Sequence, residues 1–282
     1  MQGQRRKVRV SPLVGRGVQT AGSSQAGVFL RSFVQWIKSV LGGDKRSVAL
    51  FRVALALTVL GDLVDRSWDL RAHYTDEGVF PRKEAVEYFS DLTWICVHMM
   101  SGKSWAIAIL FILHAILVLF MLVGYKSKLS AIGVWFLTNS LHCRNILVLH
   151  SGDVYLRVCL FWALFLPLHC CWSVDKALRN KTNVRPSSDK TGGRGYSLIC
   201  GGTLAMVAQV TMMYVSSVYH KTGKEWLVDG SATFYALHLD YFRMPLGDLF
   251  LYLHPTILSY ATFGVLYWEW LGSVLFFVPW KT

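Results

Sequence analysis

No Gly-x-Ser-x-Gly elbow, no Gly-x-Gly-x-x-Gly fingerprint and no phosphate-cradling glycine loop occurs in the 282 residues. Their absence argues against the nucleotide-binding and serine-hydrolase chemistries of soluble α/β enzymes. The six cysteines (Cys96, Cys143, Cys159, Cys170, Cys171 and Cys200) form no Cys-x-x-Cys pair. No histidine stands at His-x-x-x-His or His-x-x-Glu spacing. No metal-ligand pattern is offered, and no metal is expected. The cysteines lie mostly in or beside apolar stretches, where a small hydrophobe is their commoner role. Acidic residues are few, 17 against 29 Lys and Arg, and residues 1–28 contain none. The resulting charge of +12 does not imply nucleic acid, because the basic residues sit in a few tails and loops rather than among stacking aromatics.

What is abundant is apolar and aromatic. Hydrophobic residues make up 53% of the chain and aromatics 14%, with mean hydropathy +0.38. That combination defines a polytopic membrane protein, with 11 Trp and 12 Tyr suited to belts at two interfaces. The fold class expected is all-α: a membrane bundle of about six transmembrane helices preceded by an N-terminal interfacial helix. Residues 1–28 fit either a basic cytosolic tail or an organellar targeting segment, Arg- and Ser-rich and acid-free. Residues 29–46 carry apolar groups at roughly helical spacing with Arg31 and Lys38, as a helix lying in the interface does. Residues 47–282 form the transmembrane domain.

Within it, spans are expected at 47–64, 104–125, 129–149, 154–171, 197–218 and 256–278, each near the length of about 20 residues that a bilayer core needs. Arg52 lies near the start of the first and can snorkel to the interface. A surface helix is expected at 86–100, a tight turn at His150–Asp153 and a basic connector at 172–196. The tail, the Lys126/Lys128 turn and the connector are basic, whereas the alternate loops are acidic or mixed and rich in histidine. The positive-inside rule then places the N-terminus on the cytosolic or matrix-equivalent side. His73, Asp76, His150, Asp153, His220 and Lys221 come to one depth on the opposite face.

The organising stretch is 219–247, held between the last two spans with two lysines, two histidines and Trp226. Ionisable groups at membrane depth are costly and read as functional; the bland alternative is an interfacial loop whose Lys and Trp set depth. Lys221 would act as a base if desolvated, or simply snorkels. His150 and His220 suit proton transfer. Asp62, Asp65 and Asp153 either orient those cations or cap helices. Glu269, inside the last span, needs a partner or a proton.

Three stretches together resemble the horizontally transferred transmembrane (HTTM) family, the superfamily of the vitamin K-dependent γ-carboxylase. The first is Phe51-Arg52, then Gly61-Asp62-Leu63 through His73-Tyr74-Thr75-Asp76-Glu77-Gly78-Val79-Phe80-Pro81-Arg82. The second is His150-Ser151-Gly152-Asp153 through Leu156-Arg157, with Pro167 and Trp172-Ser173-Val174-Asp175 beyond. The third contains Lys221, Lys224-Glu225-Trp226, Asp229-Gly230, Tyr235-Ala236-Leu237 and Pro245-Leu246-Gly247. The resemblance puts Lys221 at the position of the carboxylase's catalytic lysine, which deprotonates vitamin K hydroquinone, and His150 near that of a catalytic histidine. It departs from the family in lacking Asn-Asn-His before Ser151, a large lumenal domain and further C-terminal helices. Protein γ-carboxylation is therefore not expected.

Two readings follow. In the first, a carboxylase-like core binds a lipophilic quinone, hydroquinone or lipid; Lys221, His150 and His220 are catalytic, and Trp226, Asp62, His73, Asp76 and Asp153 line the ligand site. In the second, the chain is a non-catalytic accessory subunit of a larger membrane complex, such as a mitochondrial respiratory complex of the inner membrane. Membrane lipids are partners in both. A transporter finds no support, since the chain has no paired inverted halves.

Overall fold

The computed structural model describes residues 44–88, 96–182, 201–239 and 245–275, with residues 29, 31 and 32. The tail 1–28 and most of the interfacial segment 29–46 lie outside the described residues. Every regular element among those described is helical. In chain order these are α1 (Lys45–Trp68), α2 (Leu70–Tyr74), α3 (Arg82–Tyr88), α4 (Ser104–Val123), α5 (Ser127–Arg144), α6 (Ser151–Ala163), α7 (Val174–Thr182), α8 (Gly201–His220), α9 (Lys224–Leu227), α10 (Ala232–His238), α11 (Pro245–Phe250) and α12 (Pro255–Leu275). Short 3-10 turns at Val97–Met99 and Ile146–Val148 precede α4 and α6.

The apolar spacing explains the packing. In α1 the buried positions are Val48, Ala49, Arg52, Leu55, Ala56, Val59 and Leu63, a stripe recurring every three to four residues. In α4 they are Ile107, Phe111, His114, Val118 and Met121. These faces meet α5 and α6 in one core containing Leu141, Leu156 and Leu160. Two contacts between helices dominate this half, α1 with α4 and α4 with α5, while α8 pairs with α12 and meets α6.

Two helices, α1 and α4, are long and apolar enough to cross a membrane. Only 28% of the most apolar window of α4 is buried, so its outward side presents Trp105, Ile109, Ile112, Ile116, Leu119 and Val123. At 20 and 21 residues, α8 and α12 have the length of a span. Their apolar character is diluted by residues such as Gln209 and Glu269.

Several element boundaries differ from expectation. The helix expected at 154–171 is α6, whose 13 residues reach about 20 Å at 1.5 Å per residue. It stops before Pro167, which has no N–H to donate, and its end unwinds through i to i+3 bonds from Leu164, Phe165 and Leu166. The stretch His150–Asp153 is a helix start rather than a tight turn. The His150 ring accepts from the Gly152 N–H, and the Asp153 carboxylate accepts from the His150 N–H at 2.9 Å. The segment 86–100 is helical only through Tyr88 and again as the 3-10 turn Val97–Met99 among its described residues. The connector at 172–196 begins with α7.

Arg52 does not snorkel. It is fully buried and donates to the carbonyls of Leu122, Leu168, Cys171 and Trp172, the closest at 2.6 Å. It thereby ties the end of α4 to the segment before α7. Gly124 makes the crossing possible: it ends α4 at φ 72°, and a Cβ there would strike the Arg52 guanidinium and Ser173. Asp175 then caps α5, accepting from the Lys126 and Ser127 N–H groups at 2.8 and 2.9 Å and from the Ser127 hydroxyl.

Candidate functional site

The sequence-predicted residues divide between two centres. The first lies where the ends of α1 and α5 meet the start of α6. Asp62 and Arg66, one turn apart on α1, form an ion pair at 2.8 Å. Arg66 also pairs with Asp153 at 2.8 Å and donates to the Tyr74 hydroxyl at 2.9 Å. His142 places Nε2 3.8 Å from the free oxygen of Asp62 and is wholly buried. Two carboxylates, one guanidinium and a phenol thus share a pocket with an imidazole whose two nitrogens make no hydrogen bond. Burial pushes the Tyr74 phenol up, and the neighbouring Arg66 cation opposes that rise.

The donor atoms of Asp62, His142 and Asp153 lie within 4.8 Å of one another, the set that a divalent cation takes. The Arg66 guanidinium already bridges the two carboxylates, so a cation there would have to displace it. The arrangement is better matched to holding fixed charges than to metal chemistry.

Around this centre the loop 75–82 is fastened to the bundle. Gly78 lies against the Ala72 carbonyl where a Cβ would collide, letting Val79 donate to that carbonyl at 2.9 Å. Asp76 pairs with Arg82 at 2.7 Å, and the Arg82 hydrogen bonds hold its carboxyl below the usual carboxylate range. Arg144, fully buried, donates to the carbonyls of Phe80 and Thr75, and Asn145 donates to that of His73 at 3.0 Å. Of the residues predicted here, Asp62 and Asp153 are drawn together. His73 and Asp76 serve the loop, and the half-exposed His150 caps α6.

A line of buried histidines runs inward. His98 meets the Ser140 hydroxyl at 2.8 Å, and His114 meets that of Thr138 at 3.2 Å. Burial, reinforced by nearby His114, Arg144 and His142, lowers His98 to about 3, so it is neutral.

The second centre sits at the end of α8. Lys221 pairs with Glu269 of α12 at 2.5 Å, and its ammonium lies 4.5 Å from the Trp226 ring centroid. Glu269 thus has the partner its position demands. Beside them opens a cavity of about 810 Å3 whose walls include Val218, His220, Lys221, Leu227, Leu266 and Trp270. The His220 Nδ1–H donates to the Ser216 carbonyl at 2.7 Å. Lys221 and Trp226 therefore belong together, whereas His150 belongs to the other centre.

Sequence reasoning missed Arg66, Tyr74, His98, His114 and Arg144 as site residues. The spacing of Asp62 and Arg66, four apart on one helix, was a usable signal; the others become visible only when helices pack. The described residues place the chain in the class of all-helical proteins, with two helices among them apolar enough to cross a bilayer. Compared with protein-family models, with curated proteins and with solved structures, the chain matches none.

Proposed function

We propose that the chain is a polytopic helical membrane protein of HTTM type that binds a lipophilic quinone or lipid-like molecule in the cavity beside Lys221. The observation that carries this reading is the cavity itself. Its volume, about 810 Å3, falls within the range of small-molecule sites, and among its apolar and aromatic walls stands Lys221, whose ammonium is paired with Glu269. The outward apolar face of α4 supports residence in a bilayer, with α8 and α12 as further spans. The charge pattern of the loops supports a cytosolic or matrix-side N-terminus, with both polar centres at the other face.

In this reading Lys221 is the base. Its proton passes from Nζ to the adjoining Glu269 carboxylate, and the free amine takes the hydroxyl proton of a hydroquinone headgroup. Trp226 shields the pair from water, and His220 at the cavity wall relays the proton outward. The Asp62–Arg66–Asp153 centre ties α1 to α6.

The pair between α8 and α12 also favours a second reading, in which Lys221 and Glu269 join two helices of an accessory subunit in a larger membrane complex, such as one of the mitochondrial inner membrane. One experiment separates the two. The chain is purified from its native membrane in mild detergent, sized on a native gel, and extracted for quinones and lipids. A quinone or lipid that co-purifies with the wild type and is lost from Leu266→Trp, which fills the cavity, supports the ligand reading. Stoichiometric recovery within a large assembly, with neither Leu266→Trp nor Lys221→Ala altering bound small molecules, supports the subunit reading and overturns the first.

A further inference from the structure

We infer that a second cavity, between α5, α6 and α8, binds the oxyanion headgroup of an amphiphile, with Arg157 as its anchor. The cavity holds about 430 Å3 and is lined by Trp135, Asn139, Arg157, Phe161, Trp162 and Gln209, among others. No residue lines both it and the Lys221 cavity.

The other arginines inside this half of the bundle have acceptors supplied by the chain. Arg52 has four carbonyls, Arg66 two carboxylates and a phenol, and Arg144 two carbonyls. Arg157, on α6, makes no hydrogen bond or ion pair among the described residues. Trp162, five residues further along α6 and lining the same cavity, buries its indole Nε1–H without an acceptor among the described residues. Both groups only donate, and among the lining residues no carboxylate stands beside the guanidinium, so the ligand the cavity calls for is a negatively charged acceptor. A carboxylate or phosphate matches the guanidinium fork with two parallel hydrogen bonds.

The neighbouring groups fit the same ligand. Asn139 donates its amide to the Trp135 carbonyl at 2.7 Å, which fixes its orientation at the wall. Gln209 of α8 faces the cavity with a further amide. The remaining walls, Val154, Val158, Phe161 and Trp135, are apolar and suit a hydrocarbon body attached to the charged head. Val154 is half exposed, so this wall meets the surroundings of the bundle and offers a way in. Two sources share this chemistry: an acidic phospholipid of the surrounding bilayer, or a free long-chain carboxylate. The inference is independent of the Lys221 cavity and rests on the proposed membrane location only for the phospholipid source.

The test uses the full chain, purified in mild detergent, stripped of lipid and titrated with phosphatidylglycerol, phosphatidylcholine and oleate. Binding is followed by native mass spectrometry and by the fluorescence of the wall tryptophans. Expected is at least a tenfold preference for phosphatidylglycerol or oleate over phosphatidylcholine. That preference should disappear in Arg157→Gln and remain, but weakened, in Arg157→Lys, which keeps the charge and loses the fork. Tight binding of phosphatidylglycerol alone assigns the phospholipid source, and of oleate alone the free carboxylate. Equal affinity of the wild type for all three overturns the inference, as does an Arg157→Gln protein that keeps both wild-type melting and the preference. Should Arg157→Gln not purify, the wild-type preference and its persistence in Arg157→Lys decide the matter. A chain recovered from the soluble fraction would sink the membrane reading, while the oleate titration still tests Arg157.

Discussion

Arg66→Met is the substitution that most directly tests the centre between α1, α5 and α6. Methionine keeps an unbranched apolar stem but removes the guanidinium that bridges Asp62 and Asp153. The Arg66 side chain is 9% exposed, and those of Asp153 and Asp62 are 3% and 18% exposed, so solvent compensates poorly for the loss. Removing one partner of a buried ion pair costs about 3–5 kcal/mol, because the charge left behind has no counterion. Here two carboxylates are left, and they repel. Arg66→Met combined with Asp153→Asn removes that repulsion while the asparagine oxygen still accepts from the His150 N–H. The second change should restore about 1–2 kcal/mol, a coupling typical of residues in one charged network. The assay is reversible unfolding in mixed micelles of dodecyl maltoside and SDS, followed by far-ultraviolet circular dichroism. An Arg66→Met protein within about 1 kcal/mol of wild type would refute the reasoning, since an exposed or water-screened pair contributes no more than that. So would a double variant less stable than Arg66→Met alone.

Three further outcomes are expected. His98 is lowered to about 3 in the folded chain, whereas an unfolded histidine titrates near 6.5, so the unfolded state binds the extra proton between those values. Stability should therefore be full above about pH 6.5 and fall as the pH drops toward 3, and His98→Gln should flatten that slope in pH-dependent unfolding. Asp76 lies below the usual carboxylate range through Arg82, so its contribution is present above about pH 4 and is lost on further acidification. Asp76→Asn should remove this acid limb and loosen the 75–82 loop, read as faster amide exchange at Arg82 and Val79. Asp175→Ala deletes the cap of α5 and should cost about 0.5–2 kcal/mol of unfolding free energy, with Asp175→Asn recovering part of it.

Much of the architecture was legible because apolar periodicity survives any partner. The burial stripes of α1 and α4 follow helical spacing, and both helices lie within a few residues of the spans expected at 47–64 and 104–125. The fourth expected span failed for a reason the sequence contained but hydropathy ignores: Pro167 ends the hydrogen-bond ladder although the residues around it stay apolar. The His150–Asp153 stretch was misread because a glycine two residues into a helix resembles a turn. The cap is made by the His150 ring and Asp153 carboxylate, whose reciprocal geometry no single residue announces.

The site was harder to read, since an arginine in an apolar run has the same sequence signature whatever it does. Arg52, Arg66, Arg144 and Arg157 each stand in a helix, yet the first clamps four carbonyls, the second neutralises two carboxylates and the third fastens a loop. Only their partners distinguish them, and the partners most distant in sequence lie 69 to 120 residues away for Arg52, Arg66 and Arg144. The same logic separates Lys221 from a depth anchor: Glu269, 48 residues downstream, and the Trp226 ring convert a snorkelling candidate into a fixed charge at a cavity wall. A charge inside the bundle is thus assigned by what satisfies it, and where no described residue does, as at Arg157, the missing partner defines the ligand to look for.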